Sequence, residues 1–150
     1  MAMSETNTEI LKAAREVLMT EARAIAKLAD NLPQDFTRLC SAILKCKGRV
    51  IIAGVGKSGH IARKISATLA STGTPSYYVH PTEASHGDMG NIVEGNICIL
   101  ISNSGETVEL RDLVAYAKRF SIPIAAISSR SDSTLMKAAN FQLLLANAPE

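Results

Sequence analysis

Apolar residues recur every seventh position near the start of the chain, at Leu11, Leu18, Ile25 and Leu32, with Ile10, Ala14, Val17, Ala22 and Leu28 beside them. That spacing lays one apolar stripe along a helix. Thr6 followed by Glu9 predicts its capping box, in which hydroxyl and carboxylate each take an amide that the first turn leaves unpaired. The heptad-like repeat suits packing on a second helix, of a partner subunit or of the same chain folded back. A further helix is predicted after Pro33, with Phe36, Leu39, Cys40, Ile43 and Leu44 on one face and Gly48 as its stop.

The period then changes. Short apolar runs at 49–53, 76–79, 97–101, 122–127 and 141–145 read as strands. Helical spacing fills 58–71, with Ile61, Ala62, Ile65 and Leu69 inward; it returns at Leu110, Leu113, Val114 and Ala117, and again at 132–139. Apolar strands alternating with helices predict an α/β fold: a doubly wound, five-stranded parallel sheet flanked by helices, preceded by the N-terminal helices. A flavodoxin-like order is expected, with the first and third strands adjacent at the switch point. No internal repeat, low-complexity tract or linker interrupts the pattern, so residues 1–150 read as one domain.

Two loops stand out against this frame. Residues 54–59 (GVGKSG) and 102–107 (SNSGET) each follow a strand and open a helical pattern. Unpaired amides and the helix dipole favour negative charge at such a place, and Ser102, Ser104 and Thr107 add three hydroxyl donors. In the expected strand order the two loops face each other across one crevice. The pair therefore points to a small phosphorylated ligand.

Nucleotide sites fit less well. Gly54, Gly56 and Gly59 satisfy G-x-G-x-x-G, but the next strand ends at Tyr78, Val79 and His80 without the acidic residue a ribose needs. Gly56, Lys57 and Ser58 end like a Walker A loop, yet Ile51 stands where its leading glycine belongs. Residues 80–90 (HPTEASHGDMG) bring two histidines and two carboxylates to the same rim of the sheet. His86 and Asp88 are candidates for a sugar hydroxyl or a metal, but HExxH spacing and a cysteine partner are missing, so no metal is assigned. His60 is either a surface residue or a lid over the crevice.

Composition narrows the field. A net charge of +2 with scattered basic residues, and 4% aromatics, argue against nucleic-acid binding. No apolar run reaches membrane-spanning length and the first residues lack a signal-peptide pattern, which predicts a cytoplasmic protein without membrane partners. Cys40, Cys46 and Cys98 form no CxxC pair and read as reduced, buried thiols.

GVGKSGHIARK, STGTP, HPTEASHGDMG and SNSGET, in this order and spacing, resemble the sugar isomerase (SIS) domain of D-arabinose 5-phosphate isomerases. The likeness runs from about Leu39 onward and more loosely through the N-terminal helices. SNSGET alone marks the wider phosphosugar-binding class; HPTEASHGDMG with Lys57 is more specific. The resemblance implies interconversion of D-ribulose 5-phosphate and D-arabinose 5-phosphate, feeding synthesis of the lipopolysaccharide sugar Kdo or capsule sugars, without a cofactor. It implies substrate binding by Gly56, Ser58, His86, Ser102, Asn103, Ser104 and Thr107, and catalysis by Lys57, Glu109 and Glu150.

The chemistry of those residue types is suitable, since moving a carbonyl between C1 and C2 through an enediol needs a base and an acid. Lys57 stays open between catalyst and plain phosphate contact, and Glu109 between base and favourable partner of a helix dipole. A homotetramer is a further implication. Family members continue past position 150 with a Ser-His-Pro-Gly-Gly segment, and many with a cystathionine-β-synthase (CBS) pair. The chain is accordingly expected to be a truncated SIS domain with reduced turnover. Two other functions fit the loops: a non-catalytic phosphosugar sensor, or an isomerase of another ketose phosphate.

Overall fold

A computed structural model describes residues 5–146 and divides the chain into two compact units. One contains the 26-residue helix α1, Glu5–Asp30. Its stripe is exposed, Leu18 at 64% and Ile25 at 69%. Thr6 lies inside α1 rather than ahead of it, so the expected capping box does not form its start.

The second unit, residues 33–145, holds the sheet. Its elements in order are α2 (Asp35–Lys45), β1 (Val50–Gly54), α3 (Lys57–Ser71), β2 (Ser76–Val79), α4 (Pro81–Ser85), β3 (Ile97–Ile101), α5 (Arg111–Arg119), β4 (Ile124–Ser128), α6 (Thr134–Ala138) and β5 (Phe141–Leu144). The five strands are all parallel, in the order β2-β1-β3-β4-β5. This is the flavodoxin-like arrangement expected from the sequence.

Both faces of the sheet are covered, which explains the unbroken apolar runs of β1 and β3. Alternate residues divide between two cores. Ile51, Ala53, Cys98, Leu100, Ile124 and Ala126 pack with Leu113 and Ala117 of α5 and Leu135 and Met136 of α6. Val50, Ile52, Ile97, Ile99, Ile101 and Ala125 pack with Leu39 of α2 and Ala62 of α3. Burial pushes the Cys98 thiol up to about 12, in keeping with an inert core cysteine.

Gly48 is not the stop of α2, which ends at Lys45. Its constraint is spatial: a Cβ there would lie 2.3 Å from Asn96 Nδ2 and 2.7 Å from the Gly95 carbonyl oxygen. The fourth strand begins at Ile124, two residues later than expected, although Ile122 is still buried. Among the described residues no helix is long and apolar enough to cross a membrane.

Candidate functional site

The parallel register pairs Gly54 of β1 with Ile101 of β3, so the two loops leave the sheet side by side at one edge. Adjacent strands stand about 4.8 Å apart. The loop pair therefore shares the switch point, where ligands of doubly wound sheets bind.

The first loop owes its shape to glycine. Gly56 has φ +58°, a conformation that side-chain-bearing residues rarely adopt, and α3 starts at the next residue. Lys57 is exposed and Ser58 half-buried in the first turn of α3, whose leading amides have no partner inside the helix. Gly59 is required for closeness, because a Cβ there would lie 2.7 Å from the Gly54 carbonyl oxygen and 3.1 Å from the Tyr78 hydroxyl. Tyr78 donates that hydroxyl to the Gly54 carbonyl at 2.8 Å and so braces the exit from β1. The Arg63 guanidinium sits 4.0 Å from the Tyr78 ring centroid.

In the second loop the hydroxyls converge. Ser102 Oγ and Thr107 Oγ1 are 2.7 Å apart, and Ser102 Oγ also accepts the Gly105 N–H at 3.0 Å. The Glu106 N–H donates to Ser104 Oγ at 3.2 Å. Asn103 and Ser104 are exposed, Ser102 buried. A 3-10 turn, Val108–Leu110, with Thr107 as its N-cap, runs directly into α5, so the hydroxyl cluster opens a helical segment whose first turn is 3-10. Glu109 is exposed within this turn.

The stretch 80–90 is more ordered than a loop. The His80 imidazole accepts the Thr82 N–H at 3.2 Å and caps α4, with Pro81 at its first position. His86 ends α4 and is exposed; Asp88 opens a 3-10 turn, Asp88–Asn91. Ser85 Oγ donates to Asp112 Oδ2 at 2.9 Å and ties α4 to α5. His60 and His80 line a hollow of about 260 Å³ with Gly56, Gly59, Arg63 and Tyr78. Among the described residues no three His, Cys, Asp or Glu side chains gather into a metal-holding group. Glu150 lies outside the described residues.

Glu106 escaped notice in the sequence. Its carboxylate accepts the Thr134 N–H and the Thr134 hydroxyl, both at 2.8 Å, at the start of α6. Those two bonds hold the carboxyl below its ordinary value. The signal was available only as an acidic residue in one loop and a serine–threonine pair in another.

Fold and site together define a doubly wound α/β domain with paired hydroxyl- and amide-rich loops at its switch point. The chain belongs to the SIS domain family, whose model matches residues 43–150. Arabinose 5-phosphate isomerase KdsD of Shigella flexneri is 45% identical over 139 residues, covering 93% of this chain and 42% of the relative. The Yersinia pestis KdsD is 44% identical over 146 residues, covering 97% and 44% respectively. The chain thus spans less than half the length of these curated relatives. A solved Escherichia coli CFT073 protein in complex with arabinose 5-phosphate matches with a TM-score of 0.88 at 35% identity, over 95% of this chain and 77% of that one.

Proposed function

We propose that this chain is the isomerase domain of an enzyme that interconverts D-ribulose 5-phosphate and D-arabinose 5-phosphate. The reading rests chiefly on one observation: two hydroxyl- and amide-rich loops flank the switch point of a SIS sheet. The likeness to KdsD over most of the chain supports the choice of substrate.

The phosphate is assigned to the hydroxyls of Ser58, Ser102, Ser104 and Thr107, together with the loop backbone at Gly56 and Asn103. Glu109 is the proposed base. From the ketose, it removes a proton from C1 to give an enediolate across C1 and C2. The proton returns to C2 while the O1 hydroxyl's proton passes to O2, leaving an aldehyde at C1 and a hydroxyl at C2. Lys57 supplies positive charge to the enediolate or the phosphate, His86 lines the sugar, and Glu150 is a second acid–base candidate. No cofactor enters this scheme.

A cytoplasmic location and a role in supplying Kdo or capsule sugars accompany the reading. So does assembly into a homo-oligomer, a tetramer by family likeness, with the exposed heptad stripe of α1 as its contact. The test is a panel of ketose phosphates presented to the full-length protein while aldose formation is followed. Ribulose 5-phosphate is expected to be the best substrate. Glu109→Gln is expected to keep phosphosugar binding and lose turnover by at least about a hundredfold, the scale of a general base. Unchanged turnover in that variant would remove Glu109 from its role, and an inert panel would remove the isomerase reading.

A further inference from the structure

The backbone carbonyl of Asn103 accepts three hydrogen bonds, from the Ser128 hydroxyl at 3.0 Å, the Ser129 hydroxyl at 2.9 Å and the Ser129 amide at 3.1 Å. Two residues on, the Gly105 carbonyl accepts the Leu135 N–H at 3.1 Å. The donors come from the end of β4 and the segment after it, and β4 lies on the opposite side of β3 from β1. In a trans peptide the carbonyl of one residue and the N–H of the next point in opposite directions. Holding the Asn103 carbonyl towards β4 therefore turns the Ser104 N–H towards β1, beside the loop that carries Gly56, Lys57 and Ser58.

Turned over, the same peptide would present a carbonyl oxygen to that place, and an anion would be repelled. The Ser128 side chain is wholly buried, so its hydroxyl is committed to this contact and to the Arg130 N–H, which it accepts at 3.1 Å. The loop is also pressed close to its support: at Gly105, with φ +68°, a Cβ would lie 2.1 Å from Ser133 Oγ.

We propose that Ser128 and Ser129 are positioning residues, locking the Asn103–Ser104 peptide with its amide facing the bound phosphate. This rests on the loop pair being the phosphate site. Preorganised donors of this kind cost no rearrangement when the ligand arrives. The Ser129 amide remains as a donor to Asn103 when both hydroxyls are gone, so their loss loosens the peptide rather than the whole loop.

The experiment titrates inorganic phosphate into the isotopically labelled protein, follows the Ser104 amide resonance, and measures KM and kcat for the sugar phosphate. In the wild type, phosphate is expected to shift the Ser104 amide. In the Ser128→Ala/Ser129→Ala double variant, that shift should largely vanish, with phosphate affinity falling about tenfold. KM should rise in proportion, kcat should change less, and Ser129→Thr, which keeps a hydroxyl, should bind like wild type. A folded double variant with wild-type phosphate affinity overturns the positioning role. Ser129→Ala alone, at a half-buried site, decides in the same way if the double variant does not fold. Failure of the wild type to bind phosphate at either loop is a separate result, and it overturns the phosphate-site reading itself.

Discussion

The Ser102 and Thr107 hydroxyls stand 2.7 Å apart at the mouth of the β3 loop, with Ser102 only 2% exposed. Each hydroxyl carries one hydrogen and the two bond to each other, so together they present a single oriented donor to a phosphate. Ser102→Ala removes one of the two hydroxyls and leaves the Gly105 N–H without its side-chain acceptor. Phosphosugar affinity is expected to fall by at least about tenfold, the effect of losing a hydrogen bond to a charged group. Isothermal titration with the sugar phosphate measures it; a change within twofold would show that this hydroxyl does not touch the ligand.

Glu106 contributes a pH dependence. Its folded-state value lies below the ordinary carboxylate value, so the carboxylate's contribution is fully present above the unfolded value. That contribution is lost as pH falls through the lowered folded value. Glu106→Gln should therefore melt below wild type at neutral pH, and the gap should close progressively under acid. Melting curves between neutral and strongly acidic pH decide it, and a gap constant with pH would count against a charged cap on α6.

Gly59 separates packing from conformation. A methyl group added there meets the Gly54 backbone at 2.7 Å, whereas at Gly90 it meets nothing within 4 Å. Gly59→Ala should cost about 1–3 kcal/mol, the usual range for an overpacked site. Gly90→Ala is expected to be near neutral. Denaturant unfolding of both variants makes the comparison, and equal stability would mean that α3 can slide away from β1 freely.

Assembly is tested on α1. Leu18→Glu together with Ile25→Glu places charge on the exposed stripe without touching either sheet core. Light scattering on the eluting species should show a smaller particle than wild type, with unchanged circular dichroism. Retention of the wild-type mass would assign the contact to another surface.

The sheet was legible because strands buried on both faces leave unbroken apolar runs, and the strand order placed GVGKSG beside SNSGET. Shorter features were not. Pro81–Ser85 carries too few apolar residues to show a helical period, so α4 was hidden, although His80 and Pro81 are a cap and a first-turn residue. Thr107 does cap a helical run, but its first turn, Val108–Leu110, is 3-10 rather than α, a distinction the residue types do not carry. The contacts from Glu106 to Thr134 and from Asn103 to Ser129 bridge 28 and 26 positions. They exist because β3 and β4 are neighbours, and which side chains then meet between their loops is encoded by no local pattern.

One last contact concerns the rim of the sheet rather than its chemistry. Asp35 Oδ2 accepts the Gln142 N–H at 2.8 Å, on outermost strand β5. An open strand edge is a template on which a foreign strand can grow. Here a carboxylate from α2 occupies one rung and sets negative charge beside it, so a second chain approaching that flank finds a blocked ladder. Asp35→Ala would leave the crevice between the two loops untouched and instead make concentrated solutions more prone to aggregate.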